Sequence, residues 1–397
     1  MQKFEFKICH GILYNFKLTP PPTTTLNFGP KMSEKLPKTL NTCLIGFGFA
    51  GRTFHAPLLV ACPAITLGTI VTSRPEQVQT HFAKTTEKGQ GTYQINTATD
   101  LTTAIEQNRQ AGTPLDLVVI ATPNDTHYPL AKTALQAGIN VVVDKPFTID
   151  LTEAQSLNQI ATAQKTILTV FQNRRFDADF LTVQKLLADD TLGEISHFES
   201  HFDRYRPQPQ DRWRETNTVG GGLWYDLGSH ILDQAITLFG CPEAIFADLL
   251  VQRPGGKTVD YFQARLAYGN MRVVLSASTL VSTPNPRFTI HGARGSYVKC
   301  GLDTQENSLK QGLAPNHPDF GIDPDPGVLH TISPTDNHHS TSLIPNRKGR
   351  YIDFYAQVAN AILLDQPPPV LPQEAVDLMA IIDKGIASSR DGRWHQV

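Results

Sequence analysis

Leu44-Ile45-Gly46-Phe47-Gly48-Phe49-Ala50-Gly51 is the stretch whose reading decides the fold. Its apolar start continues Cys43 and reads as the end of a buried strand. The Gly-x-Gly-x-x-Gly spacing then reads as a tight turn opening a helix. Gly46 permits the turn, Gly48 lets a pyrophosphate approach the backbone, and Gly51 lets helix pack on strand. The helix N-terminus adds unsatisfied N–H groups and partial positive charge for phosphates. Such glycines recur often by chance, and the strand before and helix after them give the motif its weight. Gly46, Phe47, Gly48, Ala50 and Gly51 are therefore candidate dinucleotide contacts.

Outward from this turn the chain alternates strand and helix signals. Strands are expected at Cys43–Gly46, Ile65–Thr72, Asp116–Ala121, Asn140–Asp144 and Ile167–Phe171. Helices are expected at Arg52–Ala61, Leu101–Ala111, Tyr128–Ala137 and Thr152–Lys165. This grammar predicts an α/β domain over 41–170 with a doubly wound parallel sheet. After about residue 175 it changes. Ile195–Arg204, Ile245–Arg253, Tyr261–Tyr268, Arg272–Leu280 and Arg287–Gly292 read as consecutive strands, some joined by tight turns such as Gly269-Asn270. They predict a second α/β domain over 171–397 built on a large, mostly antiparallel open sheet. Leu313–Asn337 reads as a proline- and aspartate-rich excursion, followed by helices at Asp353–Leu364 and Gln373–Ser388. Residues 1–40, with Pro20-Pro21-Pro22-Thr-Thr-Thr, read as a disordered or linker-like extension, and Met32 is a second candidate start.

Composition narrows the partners. Lys plus Arg number 35 against 37 Asp plus Glu, a balance that favours neither nucleic acid nor an anionic membrane. Apolar runs such as Leu115–Thr122 are strand-length, well short of a membrane span. Five cysteines without metal-ligand spacing suit the reducing cytoplasm, and His338-His339 lacks a third ligand. The expected partner is a small molecule, with no metal.

The strand ends carry the chemistry. Strand two ends in Val71-Thr72-Ser73-Arg74 with no acid to accept from a ribose 2′-hydroxyl. Ser73 and Arg74 suit a 2′-phosphate, so NADP is favoured over NAD. Thr122-Pro123-Asn124 and His127 follow the third main strand and are expected on the nicotinamide side, although His127 could instead cap the following helix. Val141-Val142-Val143-Asp144-Lys145-Pro146-Phe147 ends a strand on a lysine that can meet a substrate hydroxyl and relay a proton. Asp144 and Lys145 are also counted among the cofactor contacts, and Pro146 is expected to hold an unusual peptide geometry. Gly220-Gly221-Gly222 leads into Asp226 and His230, four apart on an expected helix and so on one face. His230 is read as principal acid/base, Asp226 as its orienting partner and Lys145 as hydroxyl donor, with the roles of lysine and histidine left interchangeable. Asn173, Arg174, Arg204, Tyr205 and Trp213 are candidate contacts for several substrate hydroxyls.

These motifs resemble the glucose–fructose oxidoreductase / inositol dehydrogenase family across Asn41 to Trp394. The resemblance rests on the glycine turn, Thr122-Pro123-Asn124-x-x-His127, Asp144-Lys145-Pro146 and Gly221-Gly222-x-x-x-Asp226-x-Gly228-x-His230. The family's usual glutamate before Lys-Pro is Asp144 here. Phe54-His55-Ala56-Pro57, with the stretch Phe198–Pro207, is similar to the branch containing NADP-dependent scyllo-inositol dehydrogenases. The resemblance implies a Rossmann domain, oxidation of a ring hydroxyl of a polyol or sugar or the reverse, and homodimers or homotetramers. A catalytically silent NADP-binding regulator or sugar sensor of the same fold is the alternative; it would have lost Lys145, Asp226 or His230.

Overall fold

The computed structural model describes residues 39–87, 93–211, 215, 219–333 and 335–397. Nearly all of the expected N-terminal extension, together with Arg212, Trp213 and Arg214, lies outside them. Among the described residues the chain forms two sheets of six and nine strands.

The first sheet contains β1 (Leu40–Ile45), β2 (Ile65–Val71), β3 (Asn96–Ala98), β4 (Leu117–Ile120), β5 (Asn140–Val143) and β6 (Leu168–Val170). Its order is β3-β2-β1-β4-β5-β6 and every pairing is parallel. Leu117, Val118, Val119 and Ile120 are all fully buried, because helices cover both faces and each alternate side chain meets a core. Each such residue adds about 1.5–3 kcal/mol of burial free energy. Helices Leu101–Gln110 and Leu151–Gln164 start where Asp100 and Asp150 accept from the N–H groups of Thr103 and Glu153, both at 2.9 Å. Such caps are worth about 1 kcal/mol each. Strand order reverses beside β1 and β4, so a ligand crevice opens at their carboxyl ends.

The second sheet contains β7 (Ile195–His201), β8 (Ala244–Leu250), β9 (Tyr261–Tyr268), β10 (Met271–Ser278), β11 (Phe288–Gly292), β12 (Gly295–Lys299), β13 (Gly327–Ile332), β14 (His339–Ile344) and β15 (His395–Gln396). Its order is β14-β13-β12-β11-β7-β10-β9-β8-β15, antiparallel except where β7 meets β10. Some expectations need correcting, since the strands expected to reach Arg253 and Leu280 end at Leu250 and Ser278. The Leu313–Asn337 excursion contains β13, and the strand expected to reach Arg204 ends at His201. Helix Pro372–Asp391 covers part of one face. The hydroxyls of Ser388 and Ser389 accept from the Ala247 and Leu249 N–H groups at 3.0 Å each, tying the helix to β8. At Gly385 a Cβ would collide with the Trp224 ring, so glycine allows this close approach. The other face stays open and carries Leu250, Ile332 and Leu343, the last 66% exposed.

Candidate active site

The glycine turn sits where the fold places a dinucleotide. Gly46 has φ +94°, and a Cβ there would strike the Ala121 carbonyl of the neighbouring strand end. At Gly51 a Cβ would strike the Gly46 carbonyl. At Gly48 a Cβ would meet nothing within 4 Å. Two glycines therefore serve packing and the third opens the backbone outward, which fits a pyrophosphate. The turn continues into a wide π-helical turn, Gly51–His55, before helix Ala56–Ala61. Phe47 is buried against Phe82, so it backs the turn, while Ala50 is half-buried. Ser73 and Arg74 are exposed just beyond β2, and the Gly46 N–H donates to Val71 at that strand's end.

The residues after β4 and β5 form one wall. Lys145 extends from the end of β5, and its peptide bond to Pro146 is cis. His127 stands at the helix start that sequence offered as its alternative. It is fully buried at the start of helix His127–Gln136, with its ring nitrogens 2.9 Å from the Pro146 carbonyl and 3.1 Å from the Thr122 carbonyl. Burial holds the ring below the ordinary histidine value, against the opposing charge of Asp144, so it is neutral and donates to one carbonyl at a time. The ring thus sits between the β4 and β5 ends, bonded to one of them. Asp144 is likewise behind the wall, since it is buried and accepts from the Lys145 N–H at 2.8 Å. Burial would raise its carboxyl, but His55, followed by the Lys145 charge, holds it below the usual carboxylate value.

The opposite wall comes from the second domain. Gly220 and Gly222 have φ +81° and +82°, a conformation that favours glycine. The Asn124 amide donates to the Gly220 carbonyl at 2.8 Å, so it latches the glycine run to the β4 end. Asp226 lies on a π-helical turn, Trp224–Gly228, and His230 is buried in the helix that follows, Ser229–Phe239. The wide turn replaces the continuous α-helix assumed from spacing. Lys145 Nζ donates to Asp226 Oδ1 at 2.6 Å and to the Asp226 carbonyl at 2.9 Å. This pairing across the two domains was not apparent from the Asp-x-x-x-His spacing. Asn124, Lys145, Pro146, Gly220, Gly221, Gly222 and Asp226 line one small pocket.

The expected substrate contacts separate. Arg174 is not available to a ligand, because its guanidinium is buried against Asp177 at 3.4 Å and Glu306 at 2.7 Å. Burial works against its charge, but Tyr351, Asp177, Glu306 and Asp303 hold it well above the usual arginine value. Tyr205 is 61% exposed, and its backbone bridges Leu280 at the surface. Asn173 is buried just beyond β6. Arg204 lies over the Phe202 ring at 5.2 Å, and Asp226 is the first charge opposing the downward pull of burial on its guanidinium. Among the described expected contacts it is the one whose charge is opposed by Asp226, a residue that lines the pocket. Among the described residues, no three His, Cys, Asp or Glu side chains are arranged to hold a metal, and no helix is long and apolar enough to cross a membrane.

Residues 40–172 match the model of the oxidoreductase family's NAD-binding Rossmann fold, and residues 184–397 match its C-terminal alpha/beta domain. The chain belongs to the glucose–fructose oxidoreductase / inositol dehydrogenase family. It is an oxidoreductase with an NAD(P)-binding Rossmann domain and a mostly antiparallel second sheet. It is 44% identical over 348 residues to the uncharacterized oxidoreductase YdgJ of Escherichia coli, covering 87% of this chain and 95% of that protein. To scyllo-inositol 2-dehydrogenase (NADP(+)) IolW of Bacillus subtilis it is 35% identical, covering 89% and 95%. Among solved structures, the YPO2259 oxidoreductase of Yersinia pestis superposes with a TM-score of 0.83 at 40% identity, covering 91% and 97%.

Proposed function

We propose that this oxidoreductase is NADP-dependent and interconverts a ring hydroxyl and a ketone of a polyol or sugar, with scyllo-inositol the first substrate to try. The observation that carries this reading is the 2.6 Å contact between Lys145 and Asp226, in a pocket lined by the glycine run and by Asn124 and Pro146 from the β4 and β5 ends. When bound, the nicotinamide would accept or return hydride. The protein's part is to handle the hydroxyl proton.

Lys145 donates to the hydroxyl oxygen, and Asp226 holds the ammonium in place and keeps it charged. His230, one turn beyond Asp226, exchanges the hydroxyl proton, since an imidazole titrates close to neutral pH. Arg204 offers a donor to a further ring oxygen. The preference for NADP rests on Arg74, exposed beyond a strand whose tip carries no acid. The relation to IolW, NADP-dependent by name, points the same way.

Absorbance at the nicotinamide wavelength, measured across inositols and aldoses with NADP and NAD, tests the assignment. Turnover of at least one cyclic polyol or sugar, faster with NADP, is expected. Cofactor binding without turnover of any of them would favour the sensor instead.

A further inference from the structure

Behind Lys145, a line of buried polar groups leads away from the pocket and ends on a residue of the second domain. Asp144 uses Oδ1 to accept from the Lys145 N–H. Its Oδ2 lies 3.7 Å from His55 Nε2, and His55 Nδ1 lies 2.6 Å from the Tyr355 hydroxyl. His55 and Tyr355 are both fully inaccessible to solvent. His55 comes from the π-helical turn after the glycine motif, and Tyr355 from helix Ile352–Leu364. The two residues are 300 positions apart in sequence.

The protons on this line can be placed. Burial, followed by the charges of Asp144 and Cys62, raises the Tyr355 phenol well above its ordinary value, so it remains an O–H. A buried O–H needs an acceptor, and His55 Nδ1 is the ring atom facing it. Nδ1 then carries no proton, and in the neutral ring the proton is on Nε2, facing the Asp144 carboxylate. The tyrosine thus sets the tautomer that turns a positive N–H edge toward Asp144. Asp144 in turn fixes the backbone from which the Lys145 side chain starts. At 3.7 Å the Asp144 carboxylate and His55 Nε2 are beyond hydrogen-bond reach, so they act on each other through charge.

We propose that Tyr355, His55 and Asp144 are positioning residues for Lys145, forming a relay that lets the second domain set the lysine's orientation and charge from behind. This rests on the reading of Lys145 as the group that meets the substrate hydroxyl.

The test uses the full chain with NADP and the best substrate found in the polyol and sugar panel. Tyr355→Phe removes only the hydroxyl and keeps the ring against Phe171 and Phe354. It should lower kcat by about ten- to hundredfold, the scale of a small misplacement of a reacting group, with KM for NADP unchanged. Asp144→Asn should lower kcat similarly and move the limb of the pH profile that depends on Lys145 to lower pH, since losing a carboxylate favours the uncharged amine. Asp144→Glu, which can close the gap to His55, should keep kcat near that of the unaltered chain. Independently of activity, the ¹⁵N shifts of His55 should show a protonated Nε2 and an unprotonated Nδ1. The opposite tautomer overturns the relay even if a variant fails to fold. If Lys145→Ala abolishes turnover while Tyr355→Phe and Asp144→Asn retain kcat and the pH profile, the relay is wrong and the proposed function stands. Full turnover in Lys145→Ala would bring down both.

Discussion

The two sheets solve the same burial problem in opposite ways. The six-stranded sheet is parallel and covered on both faces, so a central strand such as Leu117–Ile120 is apolar and buried at every position. Along β7 of the nine-stranded sheet, Phe198 and Ser200 are buried, while His197, Glu199 and His201 are only half-buried. A sheet buried on both sides can offer chemistry only at its strand ends, and there the glycine turn, Asn124 and Lys145 are found. A sheet with an open face can also form a wall and an interface. The Lys145–Asp226 pair straddles the two, so on the proposed function chemistry should depend on both domains, cofactor choice on the first, and assembly on the second.

The strongest way to break this division is at the shared site. His230→Ala and Lys145→Ala should each lower turnover by about 10² to 10⁴, the usual cost of losing a positioned proton-transfer group, while NADP binding survives. Because the groups act as a unit, the double variant should lose far less than the product of the single losses. Titration of NADP against each variant, with single-turnover rates, checks both statements. Near-normal turnover in His230→Ala would remove His230 from the chemistry and leave Asp226 as the second domain's share.

A smaller effect is expected at the edge of the first sheet. Arg74→Ala should raise KM for NADP by about ten- to hundredfold, matching a charge-assisted contact of roughly 1.5–3 kcal/mol, and leave KM for NAD nearly unchanged. Equal losses on both cofactors would mean that Arg74 does not meet the 2′-phosphate. The smallest effect on catalysis belongs to the open face. Leu343→Asp places a charge on an exposed apolar position. It should shift sedimentation from dimer or tetramer toward monomer with kcat almost intact. A monomer before substitution, at micromolar concentration, would refute self-association through this sheet.

What could be read in the sequence follows from the same contrast. Uninterrupted apolar runs marked the inner strands of the first sheet, whereas β3, Asn96–Ala98, is short, polar and at the edge, so it carried no periodic signal. β13 was hidden among prolines and aspartates, and the outer strand β14 is mostly exposed, with no buried face to impose alternation. Lys145 was legible because a strand ending on lysine and proline is unusual. Its pairing with Asp226 was not, because a spacing of four pointed Asp226 toward His230 instead. His127, Asp144 and Arg174 were read as ligand contacts from polarity and position. Their burial behind the wall or against carboxylates depends on residues distant in sequence. The His55–Tyr355 contact had no local signal at all. Phe54-His55-Ala56-Pro57 was visible as a motif, but its partner arrives on a helix 300 positions later.

The latch from Asn124 to Gly220 uses a side chain on one half of the chain and a main-chain oxygen on the other. That oxygen belongs to the main chain, so the second half need preserve only a backbone path there, one that glycine at 220 allows at φ +81°. The Lys145–Asp226 pair asks for one particular side chain from each half. A gene recombined between residues 172 and 184, joining this first half to the second half of a relative, would therefore reassemble the cleft where that half keeps both the aspartate and the tyrosine that meets His55. In such a hybrid, cofactor preference would be inherited from one parent and the choice of hydroxyl from the other.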